Sequence, residues 1–202
     1  MWANSKEMRR YTIFIYACAM LFAACKPTTN SGEQETVEAD TLGISAAGDS
    51  TIWGCMGEGT GMSAFEFITE NGDTMEIYRT NPTNGIDGHL MGQIRNATDQ
   101  FAITLQNDGE SMLTAINATQ LAATWRCERG EMTIHSGGTI SSDSLEFNGW
   151  RLWNGHLLLG RSHQTEYGQM NRVDTMDIVL LSSRELIIRN EYGEETRFTP
   201  VF

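Results

Sequence analysis

The chain is poor in positive charge, poor in cysteine and without a long apolar run. Its 202 residues carry 14 Lys and Arg against 26 Asp and Glu, a formal net charge of −12 at pH 7. Nucleic acid and anionic membrane surfaces recognise cationic patches, so neither is an expected partner. A membrane-spanning helix needs about 20 consecutive apolar residues. The longest mostly apolar stretch, Tyr11 to Ala23, has thirteen residues. Sustained helical periodicity is missing from Thr51 onward, which argues against a helical fold.

Signatures of chemistry are equally scarce. His89, His135, His156 and His163 stand at no recognised zinc spacing with Cys, Asp or Glu. Ser63 and Ser162 lie outside any nucleophile elbow. The run Gly57-x-Gly59-x-Gly61 superficially suggests a dinucleotide loop, but such a loop must open a helix, whereas the residues that follow alternate as a strand. Glycines permitting a tight bend are the expected explanation. Carboxylates are so abundant that a pair such as Glu58 and Glu66 carries no weight as general acid and base. The expectation is a non-catalytic protein with no cofactor, no metal site and no catalytic residue.

What is present begins at the N-terminus. Arg9 and Arg10 precede the apolar run, and Ala24 stands directly before Cys25, the layout of a secretory signal peptide over 1–24. Leu21, Phe22, Ala23, Ala24 and Cys25 resemble the end of a bacterial lipoprotein signal, with Leu21 one place further from the cysteine than usual. The resemblance implies that Cys25 takes diacylglycerol, becomes the first mature residue and anchors the protein in the cell envelope, with the outer membrane favoured and the side of it open. Removing Lys6, Glu7, Arg9 and Arg10 leaves 11 basic and 25 acidic residues, a net charge of −14. Membrane association must then come from the lipid. With Cys18 discarded and Cys25 acylated, Cys55 and Cys127 are the remaining thiols. They either pair in an oxidising envelope or sit as small buried hydrophobes, and both readings stay open.

Residues 26–49 are rich in Thr, Ser, Glu and Gly and predict a flexible tether after Cys25. From Thr51 the pattern is period two. Six runs predict strands over 51–57, 62–69, 73–80, 89–94, 101–105 and 111–116, with a hairpin at Asn71-Gly72 and a loop over 81–88. The stretch Asn117 to Gln120 is a candidate boundary. Beyond it, runs at 122–127, 131–135, 139–147, 150–153, 156–160, 174–181, 185–190 and 195–200 predict an antiparallel meander. Asn148-Gly149 and Asn154-Gly155 suit primed turns, and 161–171 is expected to be a polar loop. The fold class is all-β: two packed small antiparallel barrels or rolls, over 50–118 and 119–202.

The second half resembles the lipocalin-like domain of envelope lipoproteins from Bacteroides and related bacteria. INATQLAATW at 116–125, HSGGTISSDSLEFNGWRLWNGHLLLG at 135–160 and VDTMDIVLLSSRELII at 173–188 carry that resemblance. The first half resembles the module that precedes this domain in such proteins. Trp125 matches the tryptophan that closes one end of a lipocalin barrel, while Ala123 stands where that family has glycine. The resemblance implies an envelope lipoprotein that binds a small apolar ligand or a protein partner. A structural module of an outer-membrane assembly is the alternative, and an enzyme acting on glycans or lipids ranks lowest. Eight short strands leave little room inside, so the interior is expected to be filled by residues such as Ile134, Leu145, Leu158, Ile178 and Ile187. Trp150 and Trp153 are three residues apart and must face opposite sides of a strand, which makes this hairpin a candidate rim or partner surface.

Overall fold

The computed structural model describes residues 42, 47–166 and 168–202, without the side chains at 163–165 and 169. The signal peptide, Cys25 and most of the stretch read as tether lie outside the described residues. Ala39–Phe202 forms one compact unit. It is built almost wholly of strands in two sheets.

The six runs of the first half form β1 (Ile52–Met56), β2 (Ala64–Thr69), β3 (Thr74–Tyr78), β4 (His89–Met91), β5 (Gln100–Leu105) and β6 (Met112–Asn117). Their order in the sheet is β3-β2-β1-β5-β6-β4. All neighbours are antiparallel except β4 and β6, which run parallel with Leu90 opposite Ala115. The sheet curls on itself: the Tyr78 N–H donates to Glu110 O at 2.9 Å, and Tyr78 bridges Ser111 at the start of β6. Phe65 and Phe67 alternate with Ala64, Glu66 and Ile68 along β2 and are wholly buried with Ile77, Phe101 and Ile103. The glycines at 57 and 59 serve a close approach: Gly59 N–H donates to Glu66 Oε2 at 2.7 Å, and a Cβ at Gly57 would collide with the same carboxylate.

A four-residue helix, α1 (Ala118–Leu121), follows, capped by the Asn117 side chain accepting from Gln120 N–H. The segment expected only as a boundary thus buries Ala118, and Leu121 directly after it, in the core of the second half. Next come β7 (Thr124–Cys127), β8 (Gly130–Ile134), β9 (Ile140–Ser142), β10 (Phe147–Trp153), β11 (His156–Thr165), β12 (Gly168–Leu181), β13 (Leu186–Arg189) and β14 (Glu195–Pro200). Each strand pairs antiparallel with the next from β7 to β9 and from β10 to β14, and β14 returns to β7 through Thr199 opposite Arg126 and Pro200 opposite Trp125. The remaining seam, β9 to β10, is drawn together by the Thr139–Gly149 bridge and by Trp150 N–H donating to Gly138 O at 2.8 Å. The result is a nearly closed up-and-down barrel.

Trp125, Met132, Ile134, Leu152, Leu159 and Ile188 are among the residues that fill this barrel, and Ala102 and Ile116 of the first sheet join the same buried cluster. The two sheets therefore share a core. Ile134, Leu145 and Ile178 face inward as expected. Leu158 and Ile187 do not: both are buried, yet they alternate with Leu157 and Leu159, and with Leu186 and Ile188, which belong to the interior cluster. Consecutive apolar residues put one set on each face, and period two decides which set is inside.

Two further expectations fail for local reasons. Asn148-Gly149 is no turn but lies within β10 beside a register shift, with Gly149 opposite Gly160. The reversal comes earlier, where Glu146 adopts φ 61°. The stretch 161–171 is no loop either: β11 and β12 continue through it as one ladder, down to Thr165 opposite Gly168. Its polar composition hid the strands, because a hairpin arm extending past its neighbours has no apolar face to bury.

Candidate functional site

The most promising surface is where the two sheets meet. Gly92, after β4, donates its N–H to Leu181 O at 3.0 Å. The β10–β11 turn has Asn154 at φ 50° and Gly155 at φ 83°, the left-handed pair of a primed turn, and so Asn154-Gly155 turns as expected. Gly155 lies so close to β6 that a Cβ would come within 2.6 Å of Thr114 Oγ1. Asn154 in turn holds the segment leading into β1: its Oδ1 accepts from Ser50 N–H and from the Ser50 hydroxyl, both at 2.7 Å. Its N–H donates to Thr51 Oγ1 and its Nδ2 to Gly48 O, both at 2.9 Å.

Two further contacts lie on the outer wall of the barrel. Asp49 pairs with Arg151 at 2.8 Å, and Leu42 is buried over Gly160, where a Cβ would collide with it. Burial tends to raise the Asp49 pKa. Hydrogen bonds from Thr51 and the Arg151 guanidinium outweigh it and hold the carboxyl below its usual range. These contacts fix one side of the junction and leave a cleft on the other.

The cleft has a volume of about 430 Å³. Met91, Leu113, Ile178 and Val179 supply its apolar surface, and His89, Thr114, His156, Asp177 and Arg189 its polar groups. His156 Nδ1 lies 2.9 Å from Asp177 Oδ1, and Arg189 Nε lies 3.9 Å from Asp177 Oδ2. Asp177 thus orients a ring and a guanidinium toward the same opening. Leu113 is 42% exposed. Thr114 Oγ1 is buried without a hydrogen-bond partner among the described residues, as is Trp153 Nε1 at the end of the adjoining strand. Buried polar atoms are normally satisfied, so orphans beside a cleft point to a missing partner. Such a mixture of apolar surface and a few convergent polar groups is what a small-molecule site requires.

A larger cleft, about 640 Å³, opens where β7 and β14 splay beyond Arg126 and Thr199. Charged side chains dominate it, with Arg126, Arg129 and Arg197 facing Glu128 and Glu195. Size alone favours it. Chemistry favours the junction, which offers an apolar body and unsatisfied polar atoms together.

Trp150 is buried and its Nε1 donates to His135 O at 2.7 Å, while Trp153 is half-buried on the opposite face of β10. Cys55 and Cys127 are free, half-buried thiols in different sheets. His89 and His156 come together at the junction, whereas His135 hydrogen-bonds Ser141 at 2.9 Å on the far side of the barrel. Among the described residues no three His, Cys, Asp or Glu side chains converge on a metal-sized site. The lipidation residue Cys25 lies outside the described residues. Sequence reasoning passed over Thr114, Asp177 and Arg189, because partners drawn from β6, β11, β12 and β13 share no local motif.

Residues 128–200 match the Lipocalin-like family. No curated protein matches the chain. Among solved structures, a lipocalin-like protein from Bacteroides thetaiotaomicron is similar at 23% identity, with a TM-score of 0.33, over 41% of this chain and 97% of that one. The matched family segment begins just after β7 and runs through the last residue of β14. Within this all-β chain, residues 128–200 are thus similar to the Lipocalin-like family.

Proposed function

We propose that the protein is a non-catalytic envelope lipoprotein, anchored through Cys25, that binds a small amphipathic ligand in the cleft between its two sheets. One observation carries the choice of site: the barrel interior is filled by large side chains, while the junction offers open apolar surface beside an unsatisfied hydroxyl. A lipocalin-like module favours binding over catalysis, and the packed interior moves the binding surface outward to the rim. The apolar part of the ligand would lie on Met91, Leu113, Ile178 and Val179, with a polar group reaching His156 or Arg189.

Titration of the chain with an anionic naphthalene-sulfonate fluorophore tests this reading. Leu113 is exposed, so Leu113→Asp should spare the fold and weaken fluorophore binding about tenfold or more, a loss of about 1.4 kcal/mol at least. Unchanged binding in that variant would refute the junction as the site. Binding lost instead on enlarging Ala102, inside the shared core, would place the ligand within the barrel.

A further inference from the structure

The strand β12 is much longer than the partner on one of its sides. It pairs with β11 from Gly168 to Met176. On the other side, β13 meets it only from Asp177 to Leu181. The backbone from Met170 to Met176 therefore carries strand geometry with one edge unpaired among the described residues. A cleft of about 350 Å³ runs along that edge, with Arg172 to Met176 on one wall and Asn190 to Tyr192 of the β13–β14 turn on the other. Long open edges are templates for another strand, and proteins usually shorten, cover or charge them.

The residues on this edge are complementary to themselves. We propose that a second copy of the chain docks here, its β12 antiparallel to the first about a two-fold axis at Val173. In that register each residue faces the partner residue an equal number of places beyond Val173. Arg172 then lies opposite the partner's Asp174, Asp174 opposite the partner's Arg172, and Met170 opposite the partner's Met176. Asn171 faces the partner's Thr175, and Val173 faces itself. A two-fold interface requires this kind of self-complementarity, and opposite charges directly across an antiparallel pair stabilise it. Moving the axis to Arg172 or Asp174 sets like charges against each other, which is unfavourable.

Side-chain placement agrees with the register. Asp174 already sits between Arg161 at 2.8 Å and Arg172 at 2.9 Å, and Arg172 is 67% exposed. The Arg172 end of that pair is exposed while Asp174 is only 12% exposed, so Arg172 is the group that re-pairs across an interface. Met170 is 65% exposed and Met176 half-buried, so their apposition covers apolar surface that now faces water. A second copy explains the alternation of charge at 172 and 174 together with the methionines at 170 and 176.

Cysteine cross-linking of the full chain in cells tests the proposal. Val173→Cys puts two thiols on the axis, within the Cα separation of about 4.4–6.8 Å that a disulfide needs. That variant should run mainly as a covalent dimer on a non-reducing gel. Thr175→Cys, four residues from its own copy along the strand, should stay monomeric, and Asn171→Cys with Thr175→Cys should dimerise again. Unsubstituted chain reports any background from Cys55 and Cys127. Arg172→Asp in the Val173→Cys chain should cut the dimer at least several-fold, and adding Asp174→Arg should restore it. Circular dichroism on each variant confirms the β fold, and if Val173→Cys loses it the chain carrying Asn171→Cys with Thr175→Cys takes its place as the test. No dimer from a folded Val173→Cys chain, equal dimer at 171, 173 and 175 singly, or a cross-link to a protein of another mass would each overturn the proposal.

Discussion

Replacing Trp125 by alanine asks how far one side chain holds both sheets. Its ring is 1% exposed, and its Nε1 donates to Leu121 O at 2.9 Å. A buried tryptophan removes roughly 150–250 Å² from water, worth about 4–6 kcal/mol at 25 cal/mol per Å² as an upper figure. Large aromatic to alanine changes in cores cost about 3–5 kcal/mol, and the orphaned Leu121 carbonyl adds about 1 kcal/mol. The expected loss is therefore about 4–6 kcal/mol. For a unit of about 150–250 residues each kcal/mol lowers Tm by about 2–4 °C, so the midpoint should fall by about 8–24 °C. Trp125→Phe, which keeps a ring but loses the N–H, should lose less than half as much. Because Ala102 and Ile116 share the cluster with Trp125, calorimetry should show a single transition moving down. A loss below about 1.5 kcal/mol, or a transition split into two with only one displaced, would refute the shared core.

Three other outcomes are expected. Gly155→Ala, at φ 83° and facing Thr114 Oγ1, should cost about 1–3 kcal/mol in urea denaturation, with part of the loss recovered by Thr114→Ala. The lowered pKa of Asp49 means its contribution is fully present above the unfolded carboxylate value of about 3.9 and disappears as pH falls through the folded value; Asp49→Asn should therefore flatten the acid limb of a stability-against-pH profile, and an unchanged limb would count against the Arg151 pair. Cys25→Ala should abolish incorporation of labelled fatty acid and release the chain from the membrane fraction, whereas label persisting on Cys18 would displace the assigned anchor.

All fourteen strands were legible in outline, and for one reason. Residues such as Phe65 and Phe67, or Leu157 and Leu159, alternate inside an antiparallel meander whose turns carry Asn, Asp and Gly. Where alternation was doubled, as in Leu157 to Leu159, the side facing inward was misjudged for Leu158. Where it had no apolar component, as in 161–171, the strands themselves disappeared into what looked like loop. Asn148-Gly149 shows the limit of turn chemistry: the pair fits a primed turn, but the chain had already reversed at Glu146. The candidate site was the least legible part. His156 and Asp177 are 21 residues apart and Thr114 is farther still, so only the register of β11 on β12 and the docking of β6 bring them together.

The latch between Ser50 and Asn154 joins residues 104 apart in sequence, and this separation sets an order of events during synthesis. At about 5–20 residues per second, Ser50 precedes its partner by about 5–20 s. From Leu121 to Asn154, about the last third of that interval, the six strands of the first sheet are complete in sequence, while Ala102, Ile116 and Leu121 have no barrel to bury them. The newborn chain must pass through a stage in which half of a shared core faces water, and that exposure ends only when β14 returns to β7 and closes the barrel.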